Sequence, residues 1–507
     1  MGLSFEVKES DLLGRIGVLT VGGKQVETPC LFPVIHPVRQ SVSTRELSEM
    51  GYRGLMTNSL ILYGRRRDEA VAKGLHKLLD FDGMFMTDSG GYQVLEYGQV
   101  DVDHRRIAQF QSSIGSDLAV TLDRPTGYSL SRKYASETMK YSLENALATI
   151  REFRSSDTSW IGPVQGGLFE SLLRESTRKL VAGGFDMLAL GSPTQVMENY
   201  RFAELTSMIV ATRAAMPYSM PLHLFGAGHP LTMAMSVALG CDTFDSASYV
   251  LFARKGRYMT GRGVLRLEQM RYLPCSCPAC VKTTLQELGE MEHAERTKAV
   301  ALHNLYVLRE EMLSCKEAIA EGRLWDLVEE KASSHPRLSE AFLSLVRKSA
   351  QLRDGTAAIK GRGLFVRGPQ DRERPELLTA AAMLERAFTK RCSTALLVLG
   401  GEGVPFGRLR FSRRAFRMGS FDAYRLHPVL GAFPAELEFV YPFTQTVGPY
   451  DGGLDERGLL REARSRLKRE GYRRVAIARA DEGGEVVPLM VRSRRTPRVA
   501  SPYPPST

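Results

Sequence analysis

From residue 31 onward, short apolar runs alternate with stretches whose apolar residues recur at helical spacing, the pattern of parallel strands joined by crossover helices. Eight runs read as strands: Leu31–Ile35, Gly54–Asn58, Gly83–Asp88, Asp117–Asp123, Trp160–Gln165, Met187–Gly191, Leu222–Gly226 and Cys241–Asp245. Helix signals lie between them, among them Ser43 with Glu46 three residues later and the amphipathic stretches Ala135–Phe153 and Leu168–Val181. Eight such units within about 250 residues predict a closed (β/α)8 barrel of the α/β class. A doubly wound open sheet has the same periodicity, but its glycine-rich phosphate turn is missing after the first strand. Barrels carry their chemistry at the C-terminal strand ends, which makes Asn58, Asp88, Asp123, Gln165 and Asp245 site candidates. One strand-end Asp is better read as the cap of the next helix, and for Asp123, just before Pro125, that plain reading stands on its own. Three such acids in one barrel favour a site.

Beyond Gly263 the pattern changes to a cysteine cluster and a long helical stretch from Leu285 to about Lys316. More helix follows over residues 318–360, broken at Ser333, Ser334 and Pro336. After Arg374 a helix, Leu377–Thr389, mixes with strands such as Ala395–Leu399 and Glu436–Tyr441. This divides the chain into a barrel over 1–265, a metal-binding subdomain and helix completing the catalytic domain over 266–320, and a helical connector over 321–360. A C-terminal α/β accessory domain then covers 361–491, and an Arg-, Pro- and Ser-rich tail, expected to be disordered, covers 492–507. There is no internal repeat.

Composition adds a partner class. With 507 residues, 43% of them hydrophobic, the chain can bury a large core, and its net charge of +11 suits a polyanion such as nucleic acid. Met1 to Ser10 carry no apolar run, and no segment has the ~18 apolar residues of a membrane helix, so a cytoplasmic protein is expected. Three of the seven cysteines crowd into Cys275-Ser-Cys277-Pro-Ala-Cys280, and His303 follows on a helix, 303 − 280 = 23 residues later. Soft thiolates and imidazole at such spacing select zinc, and four protein ligands leave no open position, so one structural zinc per chain is expected. His303 also has the plainer reading of a core or surface histidine.

The third strand ends in Asp88-Ser-Gly-Gly-Tyr92-Gln93, a turn with exposed backbone donors where a planar ligand could pack on Tyr92. Alone, it could equally bind phosphate or simply turn the chain. Together with Val164-Gln165-Gly166-Gly167, Phe244-Asp245-Ser246 and the cysteine cluster, in this order and at these intervals, it resembles the tRNA-guanine transglycosylases over roughly residues 10–310. Met56-Thr57-Asn58-Ser59, Gly74-Leu75-His76, Asp80-Phe81-Asp82-Gly83 and Ile114-Gly115-Ser116-Asp117 resemble the archaeal branch.

That resemblance implies exchange of guanine at position 15 in the tRNA D-arm for 7-cyano-7-deazaguanine (preQ0), toward archaeosine, through a covalent ribosyl-Asp and with no cofactor in the exchange itself. By resemblance Asp245 takes the nucleophile position and Asp88 the general acid/base position, two roles that the sequence alone leaves interchangeable. Asp123 fits the guanine-like edge, Gln165 the base carbonyl, Gly191 a close backbone approach to the ring, and Tyr92 stacking. Arg254, Lys255 and Arg257, with Tyr258, would meet tRNA phosphates and a base. Further basic clusters lie at Arg408, Arg410, Arg413, Arg414 and Arg417 and over 464–474, where a solvated helix face is an equal reading. Archaeal members commonly end in a PUA module, and none is recognisable here, so a separate PUA-bearing protein is an expected partner, as is a homodimer. Two rivals are a transglycosylase that inserts the deazaguanine into DNA and a non-catalytic partner subunit; the archaeal-like segments and the retained Asp88 and Asp245 argue against them.

Overall fold

The computed structural model describes residues 2–91, 103–357, 359–387, 390–400, 404–411, 420–427, 429–443, 445–447 and 456–489. It divides into a large unit, Met1–Arg362 with Glu373–Glu376, and a second unit, Gly363–Arg372 with Leu377–Thr507. In the large unit the eight expected runs form a closed parallel barrel. With the N-terminal strands β1 (Ser4–Asp11), β2 (Gly14–Val21) and β3 (Lys24–Thr28) counted first, the barrel strands are β4 (Cys30–Ile35), β5 (Gly54–Asn58), β6 (Met84–Asp88), β7 (Leu118–Val120), β8 (Ser159–Val164), β9 (Met187–Leu190), β10 (Leu222–Leu224) and β11 (Thr243–Ser246). They pair in chain order, and β11 closes onto β4.

Alternation decides what faces inward. Phe32, Met56, Met84, Met86, Leu118, Val120, Ile161, Met187 and Ala189 fill the barrel interior as one cluster, each large side chain contributing about 1.5–3 kcal/mol by burial. Their neighbours Leu55, Phe85 and Leu188 pack outward with the helices. The period of two that sends Met84 and Met86 inward also sends Asp88 inward, one layer higher. The crossover helices start where side chains can cap them: Thr44–Glu49 carries a Ser43/Glu46 capping box, and Arg132–Phe153 is capped by Ser131.

The periodicity from residue 31 misses the antiparallel meander β1–β2–β3. Leu19, Val21 and Val26 from it join the interior cluster, and Lys24 pairs with Asp117 at 2.6 Å just before β7 begins. The meander therefore closes the N-terminal end of the barrel, leaving the strand-end acids at the other.

After the barrel, β12 (Arg257–Thr260) and β13 (Gly263–Arg266) form a hairpin. The expected helix from Leu285 is two helices, Leu285–Glu290 and His293–Ala320. Leu324–Ala332 and Pro336–Val346 pack into the outer core of the large unit through Trp325, Leu338 and Phe342. Beside them buried Arg374 pairs with Asp326, and buried Lys360 pairs with Asp11 and Glu376.

The second unit holds a six-stranded sheet in the order Arg410–Phe411, Glu485–Pro488, Arg474–Ala480, Thr394–Gly400, Asp422–His427, Gly431–Pro434. Helix Glu456–Arg469 buries Ala463 and Leu467 against Ala395, Leu397 and Tyr424 and turns its arginines outward. The strand expected over Glu436–Tyr441 does not form: Ala435–Leu437 is a 3-10 turn and the chain keeps turning after it. Pro434 and Pro442 bracket the segment and withhold ladder donors, while Glu438 accepts from the Phe406 N–H and from Arg425. Arg413, Arg414, Arg417 and the tail over 492–507 lie outside the described residues. No described helix is long and apolar enough to cross a membrane.

Candidate active site

The C-terminal ends of the barrel strands surround a cavity of about 760 Å³ lined by Asn58, Asp88, Asp123 and Asp245 together with Ser192, Phe225 and Gly228. The register sets Asn58 of β5 opposite Asp88 of β6, and the Asn58 amide donates to Asp88 Oδ2 at 2.9 Å. Asn58 also caps the following helix, since its Oδ1 accepts from the Ile61 N–H, and this fixes the side chain that holds Asp88. Burial, reinforced by the nearby charge of Asp123, pushes the Asp88 carboxyl up to about 7; the Gly90 N–H and Asn58 pull in the opposite direction. Gly90 takes φ +93°, and a methyl there would press on Leu60, so the turn after Asp88 needs glycine.

Asp123 follows β7 and caps nothing, because the next helix starts at Arg132 under Ser131. Its Oδ2 accepts from Gln165 Nε2 at 2.7 Å, and burial lifts its carboxyl to about 6 against that bond. Gln165 is 0% exposed. Its Oε1 takes Ser192 Oγ at 2.9 Å and both the N–H and hydroxyl of Thr126 at 3.1 Å, so it stands behind Asp123 and off the cavity wall. Gly191, equally recessed, leaves the room the Gln165 amide fills; a methyl at 191 would overlap that amide. Tyr92 lies outside the described residues.

Asp245 is the next-to-last residue of β11 and 7% exposed. Its Oδ1 accepts from the Gly226 N–H at 2.9 Å and lies 3.1 Å from His223 Nε2. His223 and Thr126 escape a sequence reading: His223 is one polar residue in an apolar strand, and Thr126 sits in an ordinary turn sequence, Asp123-Arg-Pro-Thr-Gly127.

Lys255 and Arg257 line the cavity beside exposed Arg254, and the Arg257 guanidinium sits 5.5 Å from the Phe252 ring centre. Tyr258 departs from expectation. It is buried, stacks on His303 with ring centres 3.6 Å apart, and its hydroxyl lies 3.2 Å from Cys280 Sγ, so it cannot stack on a base. Strand alternation on β12 turns it away from its cationic neighbours.

The donor atoms of Cys275, Cys277, Cys280 and His303 all lie within 4.8 Å of one another. Cys277 and Cys280 Sγ are 3.5 and 3.3 Å from His303 Nδ1, close to the edges of a tetrahedron with Zn–S of about 2.3 Å. His303 Nε2 lies 2.8 Å from the Met259 carbonyl, which takes its proton and leaves Nδ1 as the ligand. The donor set and its spacing fit a closed structural zinc site.

Comparison with known proteins follows the same outline. The family described as queuine tRNA-ribosyltransferase matches residues 10–337. The tRNA-guanine(15) transglycosylase of Aeropyrum pernix is 40% identical over 458 residues, 88% of each chain. That of Thermococcus kodakarensis is 39% identical over 88% of this chain and 72% of its own. That of Methanosarcina mazei is 39% identical over 88% of each.

Proposed function

The chain belongs to the queuine tRNA-ribosyltransferase family, and from that membership we propose that it is a tRNA-guanine(15) transglycosylase exchanging guanine in the D-arm for 7-cyano-7-deazaguanine, toward archaeosine. The observation that carries this is one cavity holding three strand-end carboxylates in unequal surroundings. Asp245, with both donors on Oδ1, attacks the ribose C1′ through Oδ2 as the C1′–N9 bond breaks and the electron pair leaves with guanine. Asp88, titrating at about 7, gives the departing base its proton. It then takes the N9 proton of the incoming base, whose freed pair attacks C1′ and expels the Asp245 carboxylate. One base replaces another with retention, as in two-step glycoside chemistry.

Asp123 accepts from the N1 and exocyclic N–H donors of the base edge. Gln165, buried behind Asp123, orients that carboxylate through its amide N–H; Gly191 gives the amide its space, and Tyr92 supplies a stacking face. The target nucleotide leaves its stack to enter, at a cost of a few kcal/mol, and Arg254, Lys255 and Arg257 meet its flanking phosphates. Cys275, Cys277, Cys280 and His303 would hold a structural zinc, whose role there would be to brace the hairpin and long helix beside the cavity.

Asp245→Asn and Asp88→Asn are expected to lower incorporation of labelled 7-cyano-7-deazaguanine into tRNA by more than about 10³-fold, with tRNA binding in a filter assay kept within a few-fold. Near-wild-type turnover by either variant would remove the assignment.

A further inference from the structure

His223 lies on β10 opposite Thr243 of β11, and inward alternation sets its imidazole between Thr243 and Asp245. The ring is 0% exposed, so both nitrogens need protein partners. Nδ1 lies 2.8 Å from Thr243 Oγ1, and Nε2 lies 3.1 Å from Asp245 Oδ1. An ionised carboxylate oxygen only accepts, so Nε2 carries a proton; a neutral ring then takes the Thr243 hydroxyl proton at Nδ1. The second donor to Oδ1 is the Gly226 N–H, presented at φ +63°. Phe225, a cavity-wall residue, packs its ring edge-on to the imidazole with centres 5.0 Å apart and shields it. Among the described residues nothing donates to Asp245 Oδ2, so the carboxylate is gripped by one oxygen and offers the other.

Resting on the transfer reading above, we propose that His223 is a positioning residue for the Asp245 nucleophile: its Nε2–H, oriented by Thr243, pins Oδ1 so that Oδ2 attacks C1′ and stabilises the carboxylate released in the second half-reaction. In the ribosyl ester Oδ1 is a carbonyl oxygen with little charge. When the incoming base attacks C1′, the C1′–Oδ2 bond breaks, its electron pair returns to the carboxylate, and two donors already in place strengthen as charge develops. No proton moves to or from His223. The two half-reactions therefore depend on it unequally: formation needs the aim, whereas breakdown needs both aim and charge stabilisation.

The test uses the full chain in single-turnover experiments that separate the steps. Enzyme and tRNA without free base are quenched and run on a denaturing gel to follow the covalent adduct, which is then chased with 7-cyano-7-deazaguanine. His223→Leu is expected to slow the chase by about 100-fold and adduct formation by less than about tenfold, with KM for tRNA unchanged. His223→Gln, which restores an N–H, should regain most of the chase rate, and Thr243→Val should slow it mildly with the same asymmetry. Melting curves accompany each variant. Chase rates equal to wild type, or equal losses in both steps that track loss of stability and are not rescued by Gln, would overturn the proposal. A wild-type chain that forms no adduct would instead remove the transfer reading beneath it.

Discussion

The cysteine cluster draws its four donors from residues 275–303 of one continuous stretch, while the cavity gathers Asp88, Asp123 and Asp245 from three strand ends far apart in the chain. Their chemistry differs as much as their origin. In the cluster Nδ1 of His303 faces the thiols, its Nε2 is committed to the Met259 carbonyl and Tyr258 covers Cys280, so no position is left open. In the cavity, groups are kept incompletely satisfied: burial holds Asp88 at about 7 and Asp123 at about 6, and among the described residues nothing donates to one oxygen of Asp245. A closed site adds stability, and an open one spends it to keep reactive groups ready.

The largest effect should come from opening the closed site. Chelation, or Cys277→Ser, removes binding free energy that is also folding free energy, of order 10 kcal/mol in isolated zinc modules. Loss of about one zinc per chain by metal analysis and an apparent Tm lowered by at least about 5 °C are expected. Unchanged melting after complete metal removal would break the contrast.

A smaller effect concerns pH. Asp88 must be protonated to act as an acid and Asp123 ionised to accept two donors, so kcat/KM for tRNA should be bell-shaped, falling below about 6 and above about 7. The same shift has a stability sign. A carboxyl whose folded pKa is raised to about 7 from 3.8 favours the fold below 3.8 and loses that contribution as pH climbs through 7. Asp88→Asn should therefore raise Tm at pH 8 more than at pH 5 while destroying exchange; an equal Tm change at both values would contradict the pKa assignment. The smallest effect sharpens the contrast at one atom: Gly191→Ala displaces the Gln165 amide and should lower kcat/KM for the base by about 10- to 100-fold, with a modestly lower Tm because the buried bonds of that amide are disturbed.

Much of the barrel was legible, because β4–β11 combine inward alternation with apolar outer faces and end on polar residues. The meander β1–β3 was not, since its strands alternate without an accompanying helix. Local spacing announced the cysteine ligands, and the fold brings His303 to them from a helix whose pattern alone also fits a core histidine. Neighbourhood along the chain misled at Tyr258, which shares a sequence with Arg254 and Arg257 but faces the cluster, and at Glu436–Tyr441, where flanking prolines outweigh an alternating pattern. His223 left no sequence mark, because a polar residue in a buried strand becomes meaningful only once its register partner is known.

The most direct test of the central claim is transfer of labelled 7-cyano-7-deazaguanine into an unmodified archaeal tRNA transcript, alongside a transcript lacking the D-arm guanine and a DNA duplex. The account predicts label in the first transcript and in neither control. Label confined to the DNA, or entering the transcript without the D-arm guanine, would contradict it.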